Sequence, residues 1–249
     1  AIDADPIELP KTEERLRRLG FGEDVLAVRR TNFAGLKAAI HDSGWTDGAD
    51  FLLADLGISS MQVDDPARGF SFQADGPLDM RMNPKRGLSA AEWLGRVSVD
   101  DLAVALERDA DEPDAVAIAE AIVARRDELT STHALAGVVR DWFGHQAQSA
   151  DADAAVRRTF QALRIEVNDE FGTLDALLRD LPSCLRGGGR AVFLTFHSGE
   201  DRRVKKALEE GLRAGLYAEV ALEVTRAPAA EQRRNSRAKA AKLRWAIRS

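Results

Sequence analysis

The chain has 249 residues, 45% of them hydrophobic, and a formal net charge of -6. That apolar content suits one sizeable α/β domain with an insertion, or two small domains, and excludes a disordered chain. The acidic balance excludes wholesale non-specific nucleic-acid binding. Cys184 is the single cysteine, so no intrachain disulfide can form; a small apolar residue in a helix is expected there, in a reducing compartment. No stretch approaches the ~20 apolar residues of a membrane span, and no basic-then-apolar leader opens the chain, so a cytoplasmic protein without membrane partners is expected.

The chain opens AIDADP, without Met. An apolar residue followed at once by acids resembles the end of a strand, and the expectation is that an N-terminal piece is absent. Helical spacing follows over 6–19, then an apolar run at 25–30 (VLAVRR) that reads as a strand, a helix over 33–40, and a second strand at 50–57 (DFLLADLG). Because these runs are continuous rather than alternating, burial on both faces is expected. From 89 to 157 the chain is rich in Ala, Leu, Asp, Glu and Arg, with helix-like segments such as VDDLAVALERD and PDAVAIAEAIVARRDE and no convincing strand. A long helix is expected over 159–181. RGGGR at 186–190 reads as a turn before the strand RAVFLTFHS at 190–198. YAEVALEVT at 217–225 alternates like a half-buried strand, and AKLRWAIRS at the end reads as strand or helix, with strand favoured. The resulting fold is α/β, a Rossmann-like doubly wound parallel sheet formed by 1–88 and 158–249, carrying an all-helical insertion over 89–157.

In such sheets ligands sit beyond the carboxyl ends of the strands, which puts Asp3, Asn32, Phe33, Asp55, His197 and Ser198 along one rim. An acid ending the second strand commonly accepts from ribose hydroxyls, so Asp3 is a candidate nucleoside ligand, while Asp5, ahead of Pro6, suits a helix N-cap. No GxGxxG or GxxxxGK[ST] appears. The four histidines lack zincin or finger spacing, so no metal is expected on them. Asp64, Asp65, Asp75 and Asp79 could gather a hard cation, but the interleaved Arg68 and Arg81 would more simply pair with them.

Four blocks carry a resemblance: DLGISSMQVDDPARGFSFQADGPLDMRMNP, RTFQALRIEVNDE, FHSGEDRRVK and NSRAKAAKLR, in that order. Together they resemble the bacterial small-subunit ribosomal RNA cytosine-N4 methyltransferases, the RsmH or MraW family, from Asp3 to the C-terminus. The resemblance implies a class I S-adenosylmethionine fold with a helical insertion, S-adenosylmethionine as cofactor, and one cytidine of 16S ribosomal RNA in the decoding region of the small ribosomal subunit as substrate. It also implies cofactor contacts at Asp3 for the ribose, Phe33 for the adenine, and Asp55 and Gln62 around the methionine end. The family's glycine-rich cofactor loop would lie just before Ala1. The chain departs from the family pattern at Met61, at Ala154, Ala155 and Val156, and at Ser236 and Ala238.

Methylating a cytosine amine is mainly a matter of alignment, worth on the order of 7–11 kcal/mol when the reacting atoms are held in line. Asp55, or a nearby backbone carbonyl, would accept a hydrogen bond from the amine and push its lone pair towards the methyl, Asp55 as an acceptor only; His197 and Ser198 complete the expected catalytic set. Reaching the amine requires an unstacked base, so Phe70, Phe72, Trp93 and Phe196 are candidate substrate walls, each with packing as the alternative. Arg164 and Asn168 are expected either to brace the loop carboxylates or to meet RNA phosphates. Arg202, Arg203, Lys205 and Lys206 join the basic segment over 226–248, including Arg237 and Lys242, as the expected phosphate-binding surface. A truncated homologue that binds RNA without catalysis is the competing reading. A nucleotide-dependent oxidoreductase has only the fold and Asp3 in its favour. The oligomeric state stays open, with a homodimer as one form.

Overall fold

The computed structural model describes residues 1–249. In chain order, β1 (Ile2–Asp3), α1 (Glu8–Arg18), β2 (Arg29–Arg30), α2 (Leu36–Asp42) and β3 (Ala49–Asp55) come first. Then follow α3 (Ser60–Asp64), α4 (Ala90–Leu94), α5 (Val99–Ala110), α6 (Ala115–Ala124), α7 (Thr132–Trp142), α8 (Ala150–Asn168) and α9 (Glu170–Cys184). The chain closes with β4 (Leu185–Thr195), α10 (Ser198–Arg213), β5 (Tyr217–Val220), β6 (Thr225–Arg226), α11 (Ala229–Arg234) and β7 (Lys242–Arg248). Two compact units result: 1–57 with 171–249, and 58–170. None of the described helices is long and apolar enough to cross a membrane.

The first unit holds the sheets. β1 and β2 pair in parallel as a separate two-stranded sheet, and β3 pairs in parallel with β4. The fully parallel expectation fails beyond β4, because β7 runs antiparallel to β4 and to both β5 and β6. The strand expected over 25–30 shrinks to Arg29–Arg30. Its first half is diverted into a turn, in which the amides of Val25 and Leu26 both donate to the Gly22 carbonyl. Nor is β3 buried on both faces. Leu52 and Ala54 join the core with Leu174, Leu177, Leu181 and Phe193, whereas Phe51 and Leu53, alternating to the other face, are each 57% exposed.

RGGGR proves to be part of β4. The register jumps there, Ala49 opposing Leu185 and Phe51 opposing Arg190, so the glycines form a bulge inside the strand. A Cβ on Gly189 would lie 2.8 Å from the Ala49 carbonyl oxygen, which accounts for glycine at that point. Cys184 is fully buried at the end of α9, as expected of a small apolar residue.

The second unit is helical and closes on its own side chains. Leu102, Leu106, Ile118, Ile122, Leu135 and Leu163 are all 0% exposed. Each contributes roughly 1.5–3 kcal/mol over an exposed position. Serines mark the helix starts: the side chains of Ser59, Ser89, Ser98, Ser131 and Ser149 accept amide hydrogen bonds ahead of α3, α4, α5, α7 and α8. This unit takes in the loop after Gly57 and most of the expected long helix. That helix is broken, because Asp169 adopts φ 48° and ends α8 before α9 begins.

Candidate active site

The rim of the first unit is built from strand ends. Asp55 opposes Leu194 in the parallel pair, and the Leu56 amide continues the ladder to the Leu194 carbonyl at 3.0 Å. Asp55 and the Phe196–His197 turn therefore leave the sheet side by side. Burial, then the nearby Glu200 carboxylate, raises the pKa of Asp55 above the usual Asp value. Glu200 is itself 3% exposed and accepts from the Phe196 amide at 2.8 Å and from the His197 amide at 3.4 Å. The sequence reading passed over it. The spacing of His197 and Glu200, an N-cap position and a Glu three residues on, is the capping-box signal that would have found it.

His197 caps α10, its ring almost closed off beside Phe171 at 5.8 Å between centroids. Its Nε2 lies 3.3 Å from Glu200 Oε1, yet neither ring nitrogen makes a hydrogen bond. Ser198, the first residue of α10, is exposed. Opposite Phe171, the Arg203 guanidinium stacks 4.1 Å from the ring centroid and pairs with Asp175 at 2.6 Å. A side chain so engaged is less free to meet phosphate than a solvated one.

The other strand pair presents Asp3 and the turn at Asn32 and Phe33. Asp3 opposes Arg30, and the Thr31 amide donates to the Asp3 carbonyl at 3.0 Å. One Asp3 carboxylate oxygen accepts from the Asp5 amide at 2.8 Å. Desolvation of the carboxyl raises its pKa although the residue as a whole is exposed. Asp5, fully buried, accepts from the amides of Ile7 at 2.7 Å and Glu8 at 3.2 Å, so it caps α1 and leaves Asp3 as the rim acid. Phe33 is half-buried against the same core as Leu52, and Asn32 Nδ2 donates to Thr173 Oγ1 at 3.4 Å.

In the second unit the loop over 59–84 is held by side chains. Gln62 is 6% exposed and forms a reciprocal capping box with Ser59, which engages its carboxamide oxygen at 2.8 Å from the Ser59 amide. Arg68, also buried, donates to the carbonyls of Arg81 at 3.1 Å and Met82 at 2.9 Å. Gly69 takes φ 71°, and a Cβ there would lie 2.2 Å from the Pro77 carbonyl oxygen. Arg81 grips Asp79 in a fork at 2.8 and 2.6 Å, the pairing expected of the interleaved arginines. Asp75 accepts from the His133 amide at 3.0 Å.

Asn168 does brace this loop, through its backbone: its Oδ1 accepts from the Met82 amide at 2.7 Å and its Nδ2 donates to the Met80 carbonyl at 2.8 Å. Arg164 instead forms a fork with Glu170 at 2.7 and 3.1 Å, outside the set of loop carboxylates. Phe70 is 8% exposed in the helical core, so packing accounts for its ring. Phe72 is half-buried against the same core, edge-on to Phe160 at 5.2 Å. Trp93 is half-buried on the flank of α4.

The basic tail is partly neutralised. Lys242 pairs with Asp201 at 3.2 Å and Arg244 with the same carboxylate at 2.6 Å, so Lys242 stands in an ion-pair network and not as a solvated cation. Arg237 is exposed, in the short turn Ser236–Lys239.

Comparison with known proteins agrees with this picture. A "Ribosomal RNA small subunit methyltransferase H 1" of Lachnoclostridium phytofermentans is 46% identical over 255 aligned positions, covering 100% of this chain and 69% of that protein. A "Ribosomal RNA small subunit methyltransferase H 2" of Alkaliphilus metalliredigens is 45% identical, covering 100% of this chain and 72% of that protein. A relative from Acidobacterium capsulatum is 42% identical over 99% of this chain and 82% of its own length. The MraW methylase family matches residues 1–249, and the chain belongs to that family.

Proposed function

We infer that the protein methylates ribosomal RNA of the small subunit, at the exocyclic N4 amine of one cytidine in the decoding region of 16S RNA. The observation that carries this reading is the match along the whole chain to proteins named for small-subunit ribosomal RNA methylation. S-adenosylmethionine, when bound, supplies an activated sulfonium methyl. The residues present suit such a group: acids end β1 and β3, Phe33 offers a half-buried ring, and His197 carries two buried ring nitrogens without hydrogen bonds. Asp3 would take the ribose hydroxyls, Phe33 the adenine face, and Asp55 the methionine end.

The chemistry left to the protein is to orient the amine and receive its proton as the N–C bond forms. Asp55 would serve both roles. Its raised pKa makes it a better proton acceptor than an ordinary carboxylate. His197 and Ser198, leaving the adjacent strand, would meet the cytidine, and Arg164, Phe72 and Arg237 stand as further substrate contacts. The test is transfer of labelled methyl to undermethylated small-subunit particles, with the label located by nucleoside analysis. Asp55→Asn is expected to lower the rate by 10²-fold or more with an unchanged melting temperature. Label on any base other than cytidine, or undiminished transfer by the variant, would overturn the corresponding part.

A further inference from the structure

The helical unit carries a cavity of about 390 Å³ lined by α4, the turn after it, α5 and α8. Trp93 and Arg96 stand on one side, and Asp101, Arg108 and Glu166 on the others. Ala90 and Leu94, at 0% and 1% exposure, are the buried positions of α4, while Trp93 packs against the same core, stays half-buried and lines the cavity. Arg96 is exposed, and its guanidinium makes no ion pair or hydrogen bond among the described residues. Its neighbours in the unit are satisfied: Arg81 with Asp79, Arg125 with Glu128, Arg140 with Asp153, Arg158 with Glu112. Arg108 is taken up by Asp109 at 2.6 Å and by Glu166.

Two cations and two carboxylates line the walls, so the cavity has no field for a bare polyanion. A flat neutral ring edged with donors and acceptors suits it, stacked on an indole, with one phosphate at the free guanidinium. We propose that this cavity docks one unpaired nucleotide of the RNA, its base stacked on Trp93 and edged by Asp101 and Glu166, its phosphate held by Arg96. The proposal deepens the RNA reading above and rests on it. It adds an anchoring point on the helical unit for the strand that carries the target. The same chemistry would accept a free nucleotide, so the two sources must be separated.

The test is equilibrium binding of a labelled twelve-nucleotide single-stranded RNA to the full chain by fluorescence anisotropy, across a salt series, with cytidine monophosphate as a separate arm. Arg96→Glu touches no partner and is expected to fold normally, to weaken RNA binding about tenfold, and to reduce the slope of log K against log salt by about one. Trp93→Phe keeps an aromatic for packing and is expected to abolish the tryptophan quenching that RNA produces in the parent protein. Variants that bind with parental affinity, slope and quenching overturn the docking site while leaving methyl transfer intact. Cytidine monophosphate binding as tightly as the oligonucleotide overturns RNA as the source. A parent protein that binds no RNA overturns the site together with the substrate assignment. Binding that is lost in Arg96→Glu without any methyl transfer by the parent leaves the site standing and removes the transferase reading instead.

Discussion

The two units of the molecule solve the problem of burial differently. The helical unit buries most of its large aliphatic side chains, although Val104 and Val116 are more than half exposed, whereas the sheet unit leaves Phe51, Leu53, Leu19, Val25 and Leu222 each more than half exposed. The difference follows from secondary structure. A helix presents a stripe that neighbouring helices can cover from several sides, and short loops let α5, α6, α7 and α8 do so. A strand presents two faces and two edges, and β3 has a partner on one edge and a core on one face. The polar rim lies on the less closed unit, where Asp3 and Asp55 end β1 and β3 and His197 opens α10 just after β4.

The comparison can be broken most forcefully at the helical core. Leu106 is fully buried between α5 and its neighbours, and Leu106→Ala should cost about 2–5 kcal/mol. Urea unfolding followed at Trp93 and Trp142, which lie in the helical unit, should shift to lower denaturant ahead of Trp45 and Trp245 in the sheet unit. Coincident shifts at all four tryptophans would show that the units do not differ in this respect.

A smaller effect is expected where the sheet unit buries charge. Asp201 is held by Arg244, itself 5% exposed, and by Lys242. Asp201→Asn strands the guanidinium and should cost about 2–3 kcal/mol, less than a fully enclosed pair would lose because Lys242 keeps access to water. Burial pushes the Asp201 pKa up, but the hydrogen bonds from Arg244 and Lys242 outweigh it, and the net shift is below the ordinary value of 3.8. A depressed carboxylate stabilises the fold above that ordinary value, and the contribution is lost as pH falls below it. Thermal melts in acid should therefore have a shallower slope in Asp201→Asn; an identical slope in both proteins would refute the assignment.

How far these features could be read from the sequence divides along the same line. DFLLAD and RAVFLT identified their strands because continuous apolar runs need a sheet, and Asp5 could be separated from Asp3 by the proline that follows it. Phe51 and Leu53 depart from the expectation because a run of apolar residues does not reveal whether the second face of a strand is covered. The break at Asp169 is faint in the sequence, since the apolar spacing continues across it and Asp, one of the few non-glycine residues that enter the left-handed region, is a weaker stop signal than glycine. Asn168 was legible as a brace but not its object: it grips the backbone at Met80 and Met82, and backbone partners carry no sequence signature. Glu200 was overlooked at the rim although its capping spacing stood in plain view.

That brace supplies the next prediction. Asn168→Ala leaves the Met82 amide and the Met80 carbonyl without their partner, a loss of about 1–2 kcal/mol if water cannot replace it. The effect should be local. Hydrogen exchange at Met82 should rise while amides in α5 and α6 remain protected; uniform exchange across the unit would mean that the loop and the helices open together.

The smallest expected effect belongs to the open face of β3. Phe51→Thr combined with Leu53→Thr removes exposed apolar surface, introduces β-branched side chains that suit a strand, and leaves Leu52 and Ala54 in the core. The unfolding free energy from urea titration should change by no more than about 0.5 kcal/mol, because nothing buried is lost. What should change is association: an exposed strand with apolar side chains is a template for pairing with another chain. Light scattering at rising protein concentration should fall in the double variant at unchanged stability. A large destabilisation would instead show that Phe51 and Leu53 are covered in solution, and the contrast between an open sheet unit and a closed helical one would fail.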